Sequence, residues 1–271
     1  MKKLMLAAAA LALSAGLAQA DTLRMGTEGA YPPYNFVNDK GELDGFEIEL
    51  GNELCKRIQA ECTWVKNDWD SIIPNLVASN YDTIMAGMNI TDERKKSIGF
   101  SIAYTPPPPS AYLATSADAD ITGNVAAQVN TIQASHVADS GATLVEFATG
   151  EETIAAVRNG EADAVFADKD FLAPFEKDSN GELVWVTGQD NVSLGEGIGI
   201  GMRQSDTELK ARFDKAIDEM KADGSLDGMI TKWFGPEAKT FGGMAAENAS
   251  APVEAPAAAP EAPATGTATS S

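Results

Sequence analysis

Ala86-Gly-Met-Asn-Ile-Thr-Asp-Glu-Arg94 is the stretch on which the fold of this chain turns. Tyr81 to Met85 before it reads as a buried strand, because Ile84 and Met85 leave no polar face. The strand runs into Gly87, and a residue without Cβ lets the backbone approach a ligand closely. Asn89 and Thr91 carry short polar groups, and Arg94 ends the stretch with a fork of donors shaped for a carboxylate. Exposed amides, small polar side chains and one arginine after a strand make a site for a small anionic group. The plainer alternative is a strand–turn–helix with Thr91 as N-cap and Arg94 on the surface.

Working outward, other strands end on residues of the same kind. Leu23 to Thr27 alternates as a first strand, and Glu28 stands where it ends. The loop after it, Gly29 to Phe36, is crowded with aromatics. Tyr31 and Tyr34 suit a cleft wall, while Phe36 suits local packing. Asp68-Trp69-Asp70 precedes a helix expected over 71–79, in which Pro74 fits only near the first turn. Trp69 either offers a flat face to a ligand or packs against its own lobe. Val125 to Val129 reads as a strand and Asn130-Thr131-Ile-Gln133 opens a helix, whose free amides attract a carboxylate. Asn130 tolerates a positive φ there. Ala162 to Ala167 is a strand with Asp168 at its carboxyl end, where it either binds an ammonium or caps the helix 169–176. Strands and helices alternate throughout, which predicts an α/β fold with mostly parallel sheets. In such sheets ligands gather at the carboxyl ends of strands.

The N-terminus bears on compartment. Met1-Lys2-Lys3, the apolar run Leu4 to Leu17 and Ala18-Gln-Ala20 have the form of a secretory signal peptide, residues 1–20, with Asp21 as the first mature residue. The chain carries a net charge of −20, and removing Lys2 and Lys3 makes it more acidic still. That acidity argues against nucleic acid and against anionic membrane surfaces.

In an exported chain the two cysteines, Cys55 and Cys62, suggest one disulfide. Asp44-Gly-Phe-Glu47 reads as a variant capping box, followed by Phe46, Leu50, Leu54 and Ile58 on one helix face. A continuous helix would hold the cysteines about 10.5 Å apart, beyond the roughly 6.8 Å limit of a disulfide. The helix must therefore end before Cys62, near Gln59. The single histidine, His136, is remote from the cysteines, so no metal site and no cofactor are expected. Pro106 to Pro109 fixes a stiff extended path that fits neither a helix nor a central strand. Gly195 to Arg203 alternates glycine with Ile and Met. This fits a strand closely approached by another element, and no Walker lysine follows. From Glu237 the composition shifts, and the tail to Ser271 reads as disordered, rich in Ala and Pro.

Gly45-Phe-Glu-Ile-Glu-Leu50, with Leu54, Cys55 and Ile58, resembles the signature of the family-3 bacterial extracellular solute-binding proteins. Met88-Asn-Ile-Thr-Asp-Glu-Arg94 resembles their ligand-carboxylate segment. Leu54-Cys-Lys-Arg and Cys62-Thr-Trp64 are most similar to the lysine/arginine/ornithine, histidine and octopine/nopaline receptors within it. The resemblance covers residues 21–236. It implies a two-lobed periplasmic-binding-protein fold of type II with a two-stranded hinge. Residues 21–109 and 191–236 would form one lobe and 110–190 the other. It implies a monomeric periplasmic receptor that passes an amino acid to an inner-membrane ABC permease. Arg94, the amides near Asn89 and the Thr131 turn would hold the α-carboxylate. Asp168 and the carbonyl of Gly87, beside Ala86, would hold the α-ammonium. Glu28, flanked by Tyr31 and Trp69, would read the distal group and favour lysine, ornithine, arginine or an opine. Glutamine remains an alternative ligand. A dehydratase on the same fold, with Glu28 or Asp168 as general acid, is the rival from another class.

Overall fold

The computed structural model describes residues 22–243. The expected signal peptide and the Ala/Pro-rich run 251–271 lie outside the described residues. The chain begins with β1 (Thr22–Thr27), β2 (Ala30–Tyr31), β3 (Asn35–Val37) and β4 (Leu43–Asp44). Helix α1 (Phe46–Arg57), β5 (Glu61–Lys66), α2 (Ile72–Val77) and β6 (Thr83–Ile84) follow. After α3 (Asp92–Lys95) and β7 (Gly99–Phe100) the chain crosses to β8 (Pro109–Ala114), β9 (Asn124–Gln128), α4 (Ile132–Ser140) and β10 (Thr143–Phe147). Next come α5 (Gly150–Arg158), β11 (Ala164–Asp168), α6 (Lys169–Asp178), β12 (Val184–Trp185) and β13 (Val192–Ser193). The chain returns through β14 (Gly201–Met202) to α7 (Thr207–Ala222) and α8 (Ser225–Phe234).

Two main sheets result, in the orders β5-β1-β6-β14-β7 and β10-β9-β11-β8-β12, with β13 on β8 and a small sheet β2-β3-β4 beside them. Each main sheet has a core of three parallel strands: β5, β1 and β6 in one, β10, β9 and β11 in the other. The antiparallel members, β8, β12, β13 and β14, flank the two connections between sheets. The parallel cores come from strand–helix–strand units, whereas the chain enters and leaves each sheet by running back along it.

Helix α1 buries Phe46, Leu50 and Leu54 completely, on the face that their four-residue spacing defines. Each such side chain contributes roughly 1.5–3 kcal/mol by leaving water. The helix ends at Arg57, and Gln59 turns the chain at φ 56°. Cys55 and Cys62 are joined with Cα atoms 6.1 Å apart. The bridge ties the end of α1 to β5, and a loop this short stabilises by roughly 2.5 kcal/mol.

Several local expectations are corrected. Asp44 and Glu47 form no capping box: the cap position is Gly45, at φ 126°, without a side-chain cap. The expected strand 81–85 narrows to β6, because Tyr81 turns its hydroxyl inward to the carbonyl of Ile72. The helix expected over 71–79 starts with a 3-10 turn, Trp69–Ser71, and stops when Ser79 adopts φ 64°. Pro109 opens β8, and the first residue of a strand is a position where a missing N–H is tolerated. The second crossover falls later than 189–191, since β13 still pairs with β8. The glycine-rich return is shorter than expected as a strand, but its close approach is real. A Cβ on Gly197 would lie 2.6 Å from the carbonyl oxygen of Thr105. Residues 237–243 are packed rather than loose: Ala238 and Phe241 rest on the core, and Asp227 accepts from the N–H groups of Phe241 and Gly242.

Candidate functional site

The carboxyl ends of the two parallel cores face one another. Thr27, Lys66 and Ile84 end strands of the first sheet, while Gln128 and Asp168 end strands of the second. The polar residues at and just beyond these ends line one small pocket between the two sheets. Glu28, Tyr31, Trp69, Ala86, Gly87, Asn89, Arg94, Thr131 and Asp168 all line it, so the structure brings together every residue assigned to the ligand, whereas Tyr34, expected in the cleft wall, is buried away from it against Phe46 and Phe234. Gln128, Ile132 and Gln133 join them and were not singled out from sequence. Gln128 is the last residue of β9, so the strand-end rule that selected Glu28 and Asp168 applies to it equally.

Arg94 sits in α3, where the Thr91 cap of the plainer reading holds but its surface arginine does not. Thr91 Oγ1 caps the helix by accepting from the N–H of Arg94, and the Arg94 side chain turns into the cleft. Its guanidinium donates to the carbonyl of Asn89 at 2.8 Å and to that of Asn130 at 3.1 Å, and lies 5.2 Å from the Trp69 ring centroid. Burial pulls its pKa down to about 10, against the attraction of Asp168. Asn130 takes φ 58°, as its side chain allows, and Thr131 caps α4 by accepting from the N–H of Ala134. The amides of that helix start therefore open onto the cleft, beside the guanidinium.

Asp168 occupies the N-cap position of α6 without using its side chain to cap. Instead it accepts from the Tyr31 hydroxyl at 2.9 Å and from the Gln133 amide at 2.8 Å. Tyr31 stacks on Phe171 with centroids 4.3 Å apart, which holds its ring in place. Burial raises the Asp168 pKa to about 7, and the Asp170 charge adds to the shift while Tyr31, Gln133 and Arg94 oppose it.

Glu28 is buried and accepts from the Gln128 amide at 2.7 Å. Burial raises its pKa to about 7, with the charges of Glu47 and Asp68 contributing in the same direction. Trp69 donates its indole N–H to the carbonyl of Val129 at 2.9 Å, so it spans the cleft rather than packing only on its own side. Gly87 takes φ 61°, and its N–H donates to Glu47 Oε1 at 2.7 Å. Asn89 is buried with its side-chain Oδ1 unpartnered among the described residues. Among the described residues no His/Cys/Asp/Glu cluster suited to a metal ion occurs.

The cavity thus has a guanidinium with helix amides at one wall and two buried carboxyls at others. It suits a small zwitterion. Residues 23–236 match the profile of the bacterial extracellular solute-binding proteins, family 3. The lysine/arginine/ornithine-binding periplasmic protein of Escherichia coli K12 is 32% identical over 260 residues, covering 86% of this chain and 97% of its own. The L-arginine-binding protein of Pseudomonas aeruginosa is 34% identical over 226 residues, covering 78% of this chain and 87% of its own. Among solved structures, a periplasmic His/Glu/Gln/Arg/opine family-binding protein from Silicibacter pomeroyi, in complex with lysine, is 65% identical with a TM-score of 0.79. It covers 81% of this chain and 100% of its own. By profile, sequence and fold together, this chain belongs to the family-3 bacterial extracellular solute-binding proteins.

Proposed function

We propose that this protein is a periplasmic receptor that captures a cationic amino acid between two lobes and delivers it to an inner-membrane ABC permease. Residues 22–108 and 194–243 form one lobe and 109–193 the other. A hinge motion of the two connections opens and closes the cleft. Arg94 and the amides at the start of α4 take the α-carboxylate, with Asn89 beside them. Asp168 and the carbonyl of Gly87 take the α-ammonium. Glu28 takes the distal cation.

The observation that carries the cationic reading is the buried Glu28. Gln128 gives it a single neutral hydrogen bond at 2.7 Å, which does not offset the cost of burying an ionised carboxylate. A ligand ammonium or guanidinium does. The lysine carried by the Silicibacter pomeroyi protein and the binding named for the curated relatives support the same chemistry.

Calorimetric titration of the ligand-stripped protein with arginine, lysine, ornithine, histidine, octopine, glutamine and glutamate tests this. A cationic member should bind with a micromolar or tighter constant, about −8 kcal/mol or better. Glu28→Gln should weaken that ligand by about 2–5 kcal/mol, the cost of breaking a buried charge pair, and should spare glutamine. Tight binding of glutamine or glutamate alone would end the role given to Glu28.

A second reading is favoured by one observation: Glu28 and Asp168 both hold protons up to about pH 7, as a general acid must. A dehydratase would use one of them to protonate a leaving hydroxyl. Turnover of prephenate or arogenate decides between the two, and no turnover is expected.

A further inference from the structure

Glu47 stands outside the cavity, wholly buried near the start of α1. Its partners are all neutral donors. Oε1 accepts from the N–H of Gly87 at 2.7 Å and from the Tyr104 hydroxyl, while Oε2 accepts from the Asn35 amide at 2.7 Å. Asn35, also fully buried, turns its Oδ1 to the N–H of Gly29 at 2.7 Å. One carboxylate therefore joins three segments: the loop after β1 that bears Glu28 and Tyr31, the turn after β6 that bears Gly87, and the strand-like run 103–105 that leads into the crossover. Tyr104 is tied there to the return strand by its N–H to Ile198, and Thr105 bridges Ile198 as well.

We infer that Glu47 is a positioning residue that sets the two first-lobe walls of the pocket against each other and against the hinge. A buried carboxylate with only neutral donors costs stability that an apolar side chain of the same size does not. What it supplies is directional. Gly87 has no side chain to hold its peptide, and its φ of 61° leaves the orientation of that peptide to its bonds. With its N–H fixed on Glu47, the Ala86–Gly87 peptide plane is set, and with it the point from which the chain presents the Gly87 carbonyl to the ligand. Glu28 is one residue from the Gly29 N–H that ends the Asn35 arm. The two ends of the proposed ligand are thus read by groups hung from one carboxylate.

An amide cannot replace it silently. If the new NH₂ of Glu47→Gln stands at Oε1, it faces the Gly87 N–H. If it stands at Oε2, it faces the Asn35 NH₂, and flipping Asn35 sets a donor against the Gly29 N–H. In every orientation two donors are left facing each other: at the Gly87 N–H, at the Gly29 N–H, or between the new amide and that of Asn35.

The test is amide hydrogen exchange on ligand-free wild-type and Glu47→Gln protein, followed by lysine titration. Gly87 or Gly29 should exchange at least about tenfold faster in the variant, with Val125 and Leu113 of the second sheet unchanged, and lysine should bind about ten- to a hundredfold more weakly. Unchanged exchange at both glycines overturns the inference. So does faster exchange with unchanged lysine affinity, which would make Glu47 a structural residue only. If Glu47→Gln does not fold, Asn35→Ala cuts one arm alone: Gly29 should lose protection while Gly87 keeps it, and any other pattern overturns the inference. The affinity arm rests on the amino-acid reading and the exchange arm does not. Wild-type protein that binds no member of the panel would therefore sink that reading, and exchange alone would judge Glu47.

Discussion

Arg94→Ala is expected to weaken amino-acid binding by about 2–5 kcal/mol, roughly thirtyfold to several thousandfold. On the proposed assignment the variant removes the cation that faces the α-carboxylate and leaves that carboxylate with helix amides alone. Arg94→Lys should recover part of the loss, because a point charge returns without the fork that makes two parallel bonds. Heat stability should move far less than affinity. The guanidinium's bonds within the protein go to two carbonyls, of Asn89 and Asn130, and both can take water once the cleft opens. Titration of lysine or arginine into the two variants measures this. A Kd within threefold of wild type for Arg94→Ala would remove Arg94 from the site.

The second large effect is on pH. Asp168 and Glu28 each rise to about 7 by burial. Both folded-state values lie above the ordinary carboxylate range, so the folded form keeps protons that the unfolded chain has lost. Stability from these two groups is greatest near pH 4 and is lost as pH rises toward 7, by up to about 1.4 kcal/mol per unit for each. Binding runs the other way. An ammonium beside Asp168 and a cation beside Glu28 favour the ionised forms, so a cationic ligand expels protons as it binds. Below pH 7 its affinity should rise by as much as about a hundredfold per pH unit, the limit for two protons. Glutamine, which leaves Glu28 protonated, should expel one proton. Calorimetry at pH 6 in buffers of different ionisation enthalpy counts them. A count of zero for lysine would mean that both acids are already ionised and hydrated before the ligand arrives.

The rule that ligands collect where parallel strands end marked Glu28, Gly87 and Asp168 as strand-end residues, which the structure places along one pocket, while their roles toward a ligand came from the family resemblance. Arg94 and Thr131 were legible from helix starts. What the sequence hid was pairing across the chain. Glu47 reads as a capping acid because Asp44 stands three residues before it. Only the packing of α1 against the turn after β6 turns its carboxylate inward to Gly87 and Tyr104. Gln128 reads as the end of an ordinary strand until the second sheet sets its amide against Glu28. The boundaries near β6, β13 and β14 were blurred for a related reason. These strands are two residues long, and their extent is fixed by neighbours distant in sequence rather than by their own residues.

Trp69 gives the molecule an optical property. Its indole N–H bonds to Val129 across the cleft and its ring lies under the Arg94 guanidinium, so opening exchanges a carbonyl partner for water and alters the field on the chromophore. The other three indoles do not span the cleft. Trp64 donates to Asn52 and Trp233 to Glu49, and Trp185 lies under Lys169, each beside a residue of its own lobe. On the proposed hinge motion, the fluorescence of the unlabelled protein should contain a steady background from three tryptophans and one component that follows the gap between lobes. Closure can be timed in a stopped-flow mixer without attaching a dye.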